Sequence, residues 1–231
     1  MSTRLAARTC VAGLAAGLLG VTSLGTTPAA AARDTLATTT VAEPESQTID
    51  FGETIDVTLE VDGENGFSPT EGTSTLWARE ATSSRWKAVT TNTSASLDFF
   101  DVRPWMTTTY KVVYSGHEAA TSSDDSYEPS ESAPFTVEVA RTITRPTGGF
   151  KVSGRVRPRY GERPIVVRVS SEERGGFTRF TRIRTDRRGR YSLVLPRRSG
   201  VWYWSFVVKA DRAYAGTRFK WRTWVSPERA R

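Results

Sequence analysis

One cysteine and one histidine in 231 residues remove most of the usual chemistry before any pattern is read. A lone thiol closes no intrachain disulfide, so stability has to come from apolar burial, which domains of about 100 residues achieve unaided. Hydrolytic triads and most general-base catalysis draw on histidine or an activated cysteine, and zinc is held by clusters of both. His117 stands alone in a polar stretch after Tyr114 and reads as a solvated loop residue. No GxxxxGK[ST] phosphate loop occurs, and no GxGxxG follows a strand. Glycoside hydrolysis needs two carboxylates across a cleft, which a small β-sandwich rarely builds. No catalytic residue, cofactor or metal ligand is therefore assigned. Asp124, Asp125 and Glu128 carry oxygens of the kind calcium takes, although an acidic surface loop is the simpler reading.

Long apolar runs are equally scarce. The longest, Val11 to Val21, is about half of the ~20 residues a membrane span requires. It follows Arg4 and Arg8 and precedes Pro28-Ala29-Ala30-Ala31-Ala32, so residues 1–32 read as a signal peptide with an A-x-A site near Ala32. Cys10 precedes the apolar run, where a lipobox cysteine would follow it, and is removed with the signal. "LPRRSG" (195–200) lacks the threonine and the hydrophobic tail of a wall-sorting signal. The expected product is an exported monomer without a covalent or transmembrane anchor.

What the chain does have is strand punctuation. Residues 33–48, rich in Thr, Glu and Ala, show no sustained period and read as a flexible tether. From Ile49 onward, short alternating runs are split by Gly, Pro, Asn, Asp and Ser. Ile55, Val57, Leu59 and Val61 form one apolar stripe; Tyr110, Val112 and Tyr114 form another, and Phe135, Val137 and Val139 a third. After a break at 140–149 the pattern restarts with Val152 and Val156, then Ile165, Val167 and Val169. Tyr191, Leu193 and Leu195 follow, then Trp202, Trp204, Phe206 and Val208, and finally Phe219, Trp221 and Val225. In "IRTDRRGRYSLVLP" (183–196) the basic-plus-aromatic mixture invites a phosphate-binding reading, but Asp186 and Gly189 mark a turn and Tyr191 opens an alternating strand.

Charge divides at the same break. Residues 33–140 hold six Lys/Arg against nineteen Asp/Glu, a net of −13, and residues 141–231 hold twenty-four against six, a net of +18. The organisation expected is a tether (33–48), an acidic domain (49–140), a linker (141–148), a basic domain (149–227) and a tail (228–231). Screening over about 8 Å at physiological salt leaves only charges at the connection, such as Arg141 and Arg145, within contact range. Exposed pairs contribute only about 0–1 kcal/mol, so a hinged pair without a rigid interface is expected.

The two halves also look like copies. Residues 85–123 lie over 176–217 with Trp86 on Phe177, Pro104 on Pro196, and Tyr110, Val112 and Tyr114 on Trp204, Phe206 and Val208. With "VSGRVRP" (152–158), "TDRRGRYSLVLP" (185–196), "YKVVYSGHEAATSS" (110–123) and "SAPFTVEVA" (132–140), the chain resembles the bacterial immunoglobulin-like domains that recur in tandem in secreted proteins of high-GC Gram-positive bacteria. The T-D-x-x-G-x-Y-x-L piece also resembles prealbumin-like regulatory modules. The resemblance implies an all-β chain of two tandem antiparallel sandwiches, an extracellular setting and no catalytic residues. The first copy departs from it by inserting "DDSYEPSE" (124–131).

Three functional readings follow. In the first, a cell-surface interaction or structural module adheres through its basic half to an anionic wall or other extracellular polymer and is retained there non-covalently. Lys151, Arg155 and Arg157 share one strand face, Arg187, Arg188 and Arg190 surround the turn, and Arg182, Arg184, Arg197 and Arg198 lie near them in sequence. Solvated charge without a ligand is the plain alternative, another extracellular protein is an open partner, and nucleic acid is not expected as one for an exported chain. In the second, a carbohydrate-binding module uses Tyr160, Tyr203 and Trp224 as a flat platform, while Trp202, Trp204 and Trp221 point inward. The third is a small hydrolase whose site carries no motif.

Overall fold

The computed structural model describes residues 35–121 and 124–226. The signal peptide expected over 1–32 and the tail at 228–231 lie outside them. All described regular structure is β, and no described helix is long and apolar enough to cross a membrane.

The first sandwich contains β1 (Thr35–Leu36), β2 (Thr38–Pro44), β3 (Thr48–Asp50), β4 (Ile55–Gly63), β5 (Ser74–Glu80), β6 (Lys87–Asn92), β7 (Phe99–Val102), β8 (Thr108–Tyr114), β9 (Ser126–Tyr127), β10 (Ser130–Glu131) and β11 (Phe135–Ala140). One sheet runs β2-β4-β7 and the other β3-β11-β8-β5-β6. Ile55, Val57, Leu59 and Val61 from the first sheet meet Leu76, Tyr110, Val112, Tyr114, Val137 and Val139 from the second, and all are buried. Burial pushes the Tyr110 and Tyr114 phenols up to about 12.

The second sandwich contains β12 (Thr142–Ile143), β13 (Lys151–Arg157), β14 (Pro164–Ser170), β15 (Thr178–Arg184), β16 (Arg190–Val194), β17 (Gly200–Val208) and β18 (Thr217–Val225). Its sheets run β12-β13-β16 and β15-β14-β17-β18. In immunoglobulin lettering both sandwiches are A-B-E against G-F-C-C′, a two-sheet Greek-key arrangement of seven principal strands. The first adds β3, which pairs in parallel with its G strand β11. In the repeat, Tyr110, Val112 and Tyr114 and then Trp204, Phe206 and Val208 occupy the inward side of the two F strands, as expected.

Several expectations are corrected. The tether expected over 33–48 is not free where the structure describes it, from residue 35 onward, because β2 pairs with β4 along seven residues. Its inward positions, Thr40 and Ala42, are small and partly polar, so the period of two carries little apolar contrast. The Thr38 and Thr40 hydroxyls engage Ser130 at 2.7 and 2.6 Å. The acidic insertion is also folded: Ser126 and Tyr127 pair with Thr35 and Leu36, and Ser130 and Glu131 with Tyr114 and Val113.

The turn at 186–189 forms with Gly189 at a φ of 77°. It joins β15 to β16, however, and these belong to different sheets, so it is a crossover rather than a hairpin. Asp186 Oδ1 accepts the backbone N–H groups of Arg188 and Arg190, both at 2.8 Å. Those bonds hold its carboxyl below the usual range, with the Arg190 bond the stronger influence. Tyr191 is buried, as its alternation required.

The hinge is corrected too. Tyr214, from the loop between β17 and β18, packs into the core of the first sandwich, edge-on to Phe51 with ring centroids 6.5 Å apart. Thr107 N–H donates to Ala213 O at 2.9 Å, and Ala215 N–H donates to Val139 O at 2.8 Å. Arg141, placed in the linker, is 2% exposed and lies between the Tyr214 and Tyr160 rings, 4.3 and 5.0 Å from their centroids. It donates to Pro158 O at 3.1 Å and to Asp211 Oδ2 at 2.6 Å, and Arg163 reaches the same carboxylate. Thr142 and Ile143 then enter the second sandwich directly. Apolar burial and backbone pairing make this contact, and neither depends on the net charges of the two halves.

Candidate polyanion-binding surface

In β13, Val152 and Val156 take the core, and the pleat turns Lys151, Arg155 and Arg157 to the opposite face. Pairing with β16 sets Arg155 directly opposite Arg190. Like charges in that position destabilise a sheet, and β13 and β16 contain no Asp or Glu. Asp186, the nearest acid in sequence, is engaged with the backbone of the turn. Arg155 Nε donates to Arg188 O at 2.8 Å, drawing the strand against the turn that carries Arg187 and Arg188. Arg187 meets Glu162 at 3.4 Å with both side chains largely exposed, a pairing worth little.

The ten cations singled out in the sequence are therefore divided. Lys151, Arg155, Arg157 and Arg190 share the outward face of the three-stranded sheet, with Arg187 and Arg188 at its end. Arg182 and Arg184 lie on β15, in the other sheet. Arg197 and Arg198 cap aromatic groups in the loop after β16: Arg197 is 5.5 Å from the Phe150 ring, and Arg198 is 4.7 Å from Trp202 and 5.6 Å from Phe180. Stacking of this kind is a packing role as much as a binding one.

The four-stranded sheet carries a second basic face that sequence reasoning missed. Its strands hold no Asp or Glu, and their outward positions include Arg168, Arg179, Arg218, Lys220 and Arg222 beside Arg182 and Arg184. The signal was available in "TRFKWRTWV", where Arg218, Lys220, Arg222 and Trp224 alternate with buried Phe219, Trp221, Thr223 and Val225. Beside the edge of β18 a cavity of about 470 Å³ opens between residues 145–148 and 220–222. Arg145 Nη1 donates to Lys220 O at 3.3 Å across it.

The aromatic platform is reduced. Tyr160 is 3% exposed, with its hydroxyl donating to Pro164 O at 2.6 Å, so it belongs to the core and not to the surface. Tyr203 is half-buried opposite Arg222, and Trp224, 63% exposed, is opposite Val201. The two rings are diagonal neighbours on a basic face. Trp204 and Trp221 point inward as expected, and Trp202 packs partly buried against the core.

Asp124, Asp125 and Glu128 do not gather: among the described residues no group of three or more His, Cys, Asp or Glu could hold a metal ion. Asp124 accepts a hydrogen bond from the Thr121 hydroxyl at 2.6 Å. His117 pairs through its backbone with Tyr127.

No family model matches the chain, and no curated protein matches it. Among solved structures it is similar to a two-domain fibronectin type III segment of chicken tenascin, 14% identical over 79% of this chain and 97% of that one, with a TM-score of 0.41. It is also similar to the FN1–FN3 domains of chicken CNTN1, 15% identical over 82% and 65% of the respective chains, TM-score 0.28. A 1.5-MDa bacterial ice-binding adhesin is 10% identical over 84% of this chain and 65% of that one, TM-score 0.30.

Proposed function

We propose that the protein is an exported, non-catalytic interaction module whose second sandwich adheres to an anionic extracellular polymer. The observation that carries this reading is the Arg155–Arg190 pair, two like charges set opposite each other on strands without a carboxylate. Arg155 ties its strand to the turn through Arg188 O, but the two like charges remain opposed with no carboxylate on either strand, which costs a sheet stability. A ligand with repeating negative charge relieves that. Lys151 and Arg157 extend the same face, and Arg187 and Arg188 stand at its end. Export rests on Arg4, Arg8, the apolar run from Val11 to Val21 and the alanines before Arg33.

The test is binding to long-chain polyphosphate, with a neutral glucan as the second arm. Charge-driven binding weakens linearly in log–log terms as salt rises, because each phosphate contact releases counterions. Arg155→Gln with Arg190→Gln should lower polyphosphate affinity and flatten that slope. Binding that survives about 1 M salt, where screening acts within about 3 Å, would overturn the reading. Binding to the glucan alone, lost in Trp224→Ala, would establish the carbohydrate module in its place.

A further inference from the structure

The first sandwich also segregates its charge by sheet. β2, β4 and β7 contain no Lys or Arg. Their outward face presents Glu43, Asp56, Glu60 and Asp62 beside Val41 and Phe100, which are 44% and 63% exposed. Its other sheet is mixed, with Lys111 paired to Glu131 at 2.7 Å. Within each chain, then, one purely acidic sheet face carries an exposed phenylalanine, and one purely basic four-stranded face carries an exposed tryptophan.

We propose that these two faces are partners between copies: the acidic face of one chain docks on the β15-β14-β17-β18 face of the next. The occupant is identified by charge complementarity, since each face lacks the sign that the other presents. Phe100 and Trp224 supply the apolar contact that charge alone does not. Because the two surfaces differ, the contact is heterologous. Unless the rotation closes a ring, it leaves a free face at each end and propagates.

Four strands about 4.8 Å apart, rising about 3.3 Å per residue, span on the order of 500 Å². That is below the roughly 800 Å² per partner of a standard stable interface. Each contact is therefore weak, salt-sensitive and suited to chains concentrated on a surface. It uses the face opposite to Arg155 and Arg190, so a chain held by its polyanion keeps it available.

Sedimentation of the purified chain over a concentration series tests this, with two sets of exposed substitutions that leave both cores intact. The first neutralises the acidic face (Glu43→Gln, Glu60→Gln, Asp62→Asn), and the second the basic face (Arg218→Gln, Lys220→Gln, Arg222→Gln). At about 0.01 M salt, where screening extends about 30 Å, the native chain should form species larger than two that dissociate as salt is raised. Each variant alone should be monomeric, and an equimolar mixture should stop at a two-chain species, because only one intact pair of faces remains. A native chain that stays monomeric at low salt would overturn the proposal. So would a dimer indifferent to the acidic-face substitutions, or association lost in Arg155→Gln with Arg190→Gln but kept in the Arg218 set.

Discussion

The two sandwiches share a strand order and differ in what surrounds it. The first covers its G strand with β3 and anchors its inserted loop through β1, β9 and β10. In the second, no strand pairs with the outer edge of β18 among the described residues; Arg145 on Lys220 O and the Trp221 ring nitrogen on Gly149 O tie the 145–149 segment beside it. The first is acidic on one face and mixed on the other, and the second is basic on both. Inward and outward positions therefore have separate roles in the two copies. Inward positions are interchangeable aromatics and β-branched residues serving the same core, whereas outward positions carry whatever distinguishes one copy from the other.

The contrast between inward and outward positions is the easiest to break. Trp204 is fully buried and its indole N–H donates to the Thr223 hydroxyl at 2.9 Å. Trp204→Ala should cost about 3–5 kcal/mol by denaturant unfolding, while Trp224→Ala, on the exposed face, should stay within about 0.5 kcal/mol. Equal effects would mean that the strand faces have been read the wrong way round. Next comes the junction: Tyr214→Ala empties a site in the first core with a residue from the second sandwich. It should cost about 3 kcal/mol and loosen the joint, visible as a second unfolding transition.

A smaller effect is expected from acid. Burial works to raise the Asp211 pKa, but hydrogen bonds from Arg141, Arg163 and the Ala213 N–H outweigh it and hold the carboxyl below its ordinary 3.8. A depressed carboxylate contributes stability above its unfolded value, and that contribution is lost as pH falls through the folded one. Native stability should therefore fall more steeply below about pH 4 than that of Asp211→Asn, with the two melting profiles converging in acid. Smallest of all is Arg155→Gln. Relief of the like-charge pair opposes loss of the Arg155 Nε bond to Arg188 O, each on the order of 1 kcal/mol. Stability in chemical denaturation at low salt should therefore change by no more than about 1 kcal/mol in either direction. A loss of several kcal/mol would make Arg155 a structural residue.

Much of the fold was legible because long apolar stripes of period two have one interpretation in an antiparallel sheet. The stripes at 55–61, 110–114 and 204–208 needed no further information. β2 was hidden because Thr40 and Ala42, its inward residues, look like tether composition. The sheet membership of β15 and β16 was hidden because a tight turn reads the same whether it closes a hairpin or crosses between sheets. Tyr160 and Tyr214 were illegible for a different reason: each stands in a loop without periodicity, so nothing local says which way the ring points. The cations of β18 are readable by alternation, but they are spaced two apart, and the denser arginine run at 187–190 marks the other sheet.

Two oppositely charged sandwiches are held as one body by a buried junction and not by the attraction between their net charges. Small-angle scattering, extrapolated to zero concentration at about 0.01 M and about 1 M salt, tests it across screening lengths of about 30 Å and 3 Å. The radius of gyration and the distance distribution should be the same at both, with a broader distribution only for Tyr214→Ala. A native chain that expands or samples several shapes as salt rises would show that charge, and not the buried junction, holds the halves together.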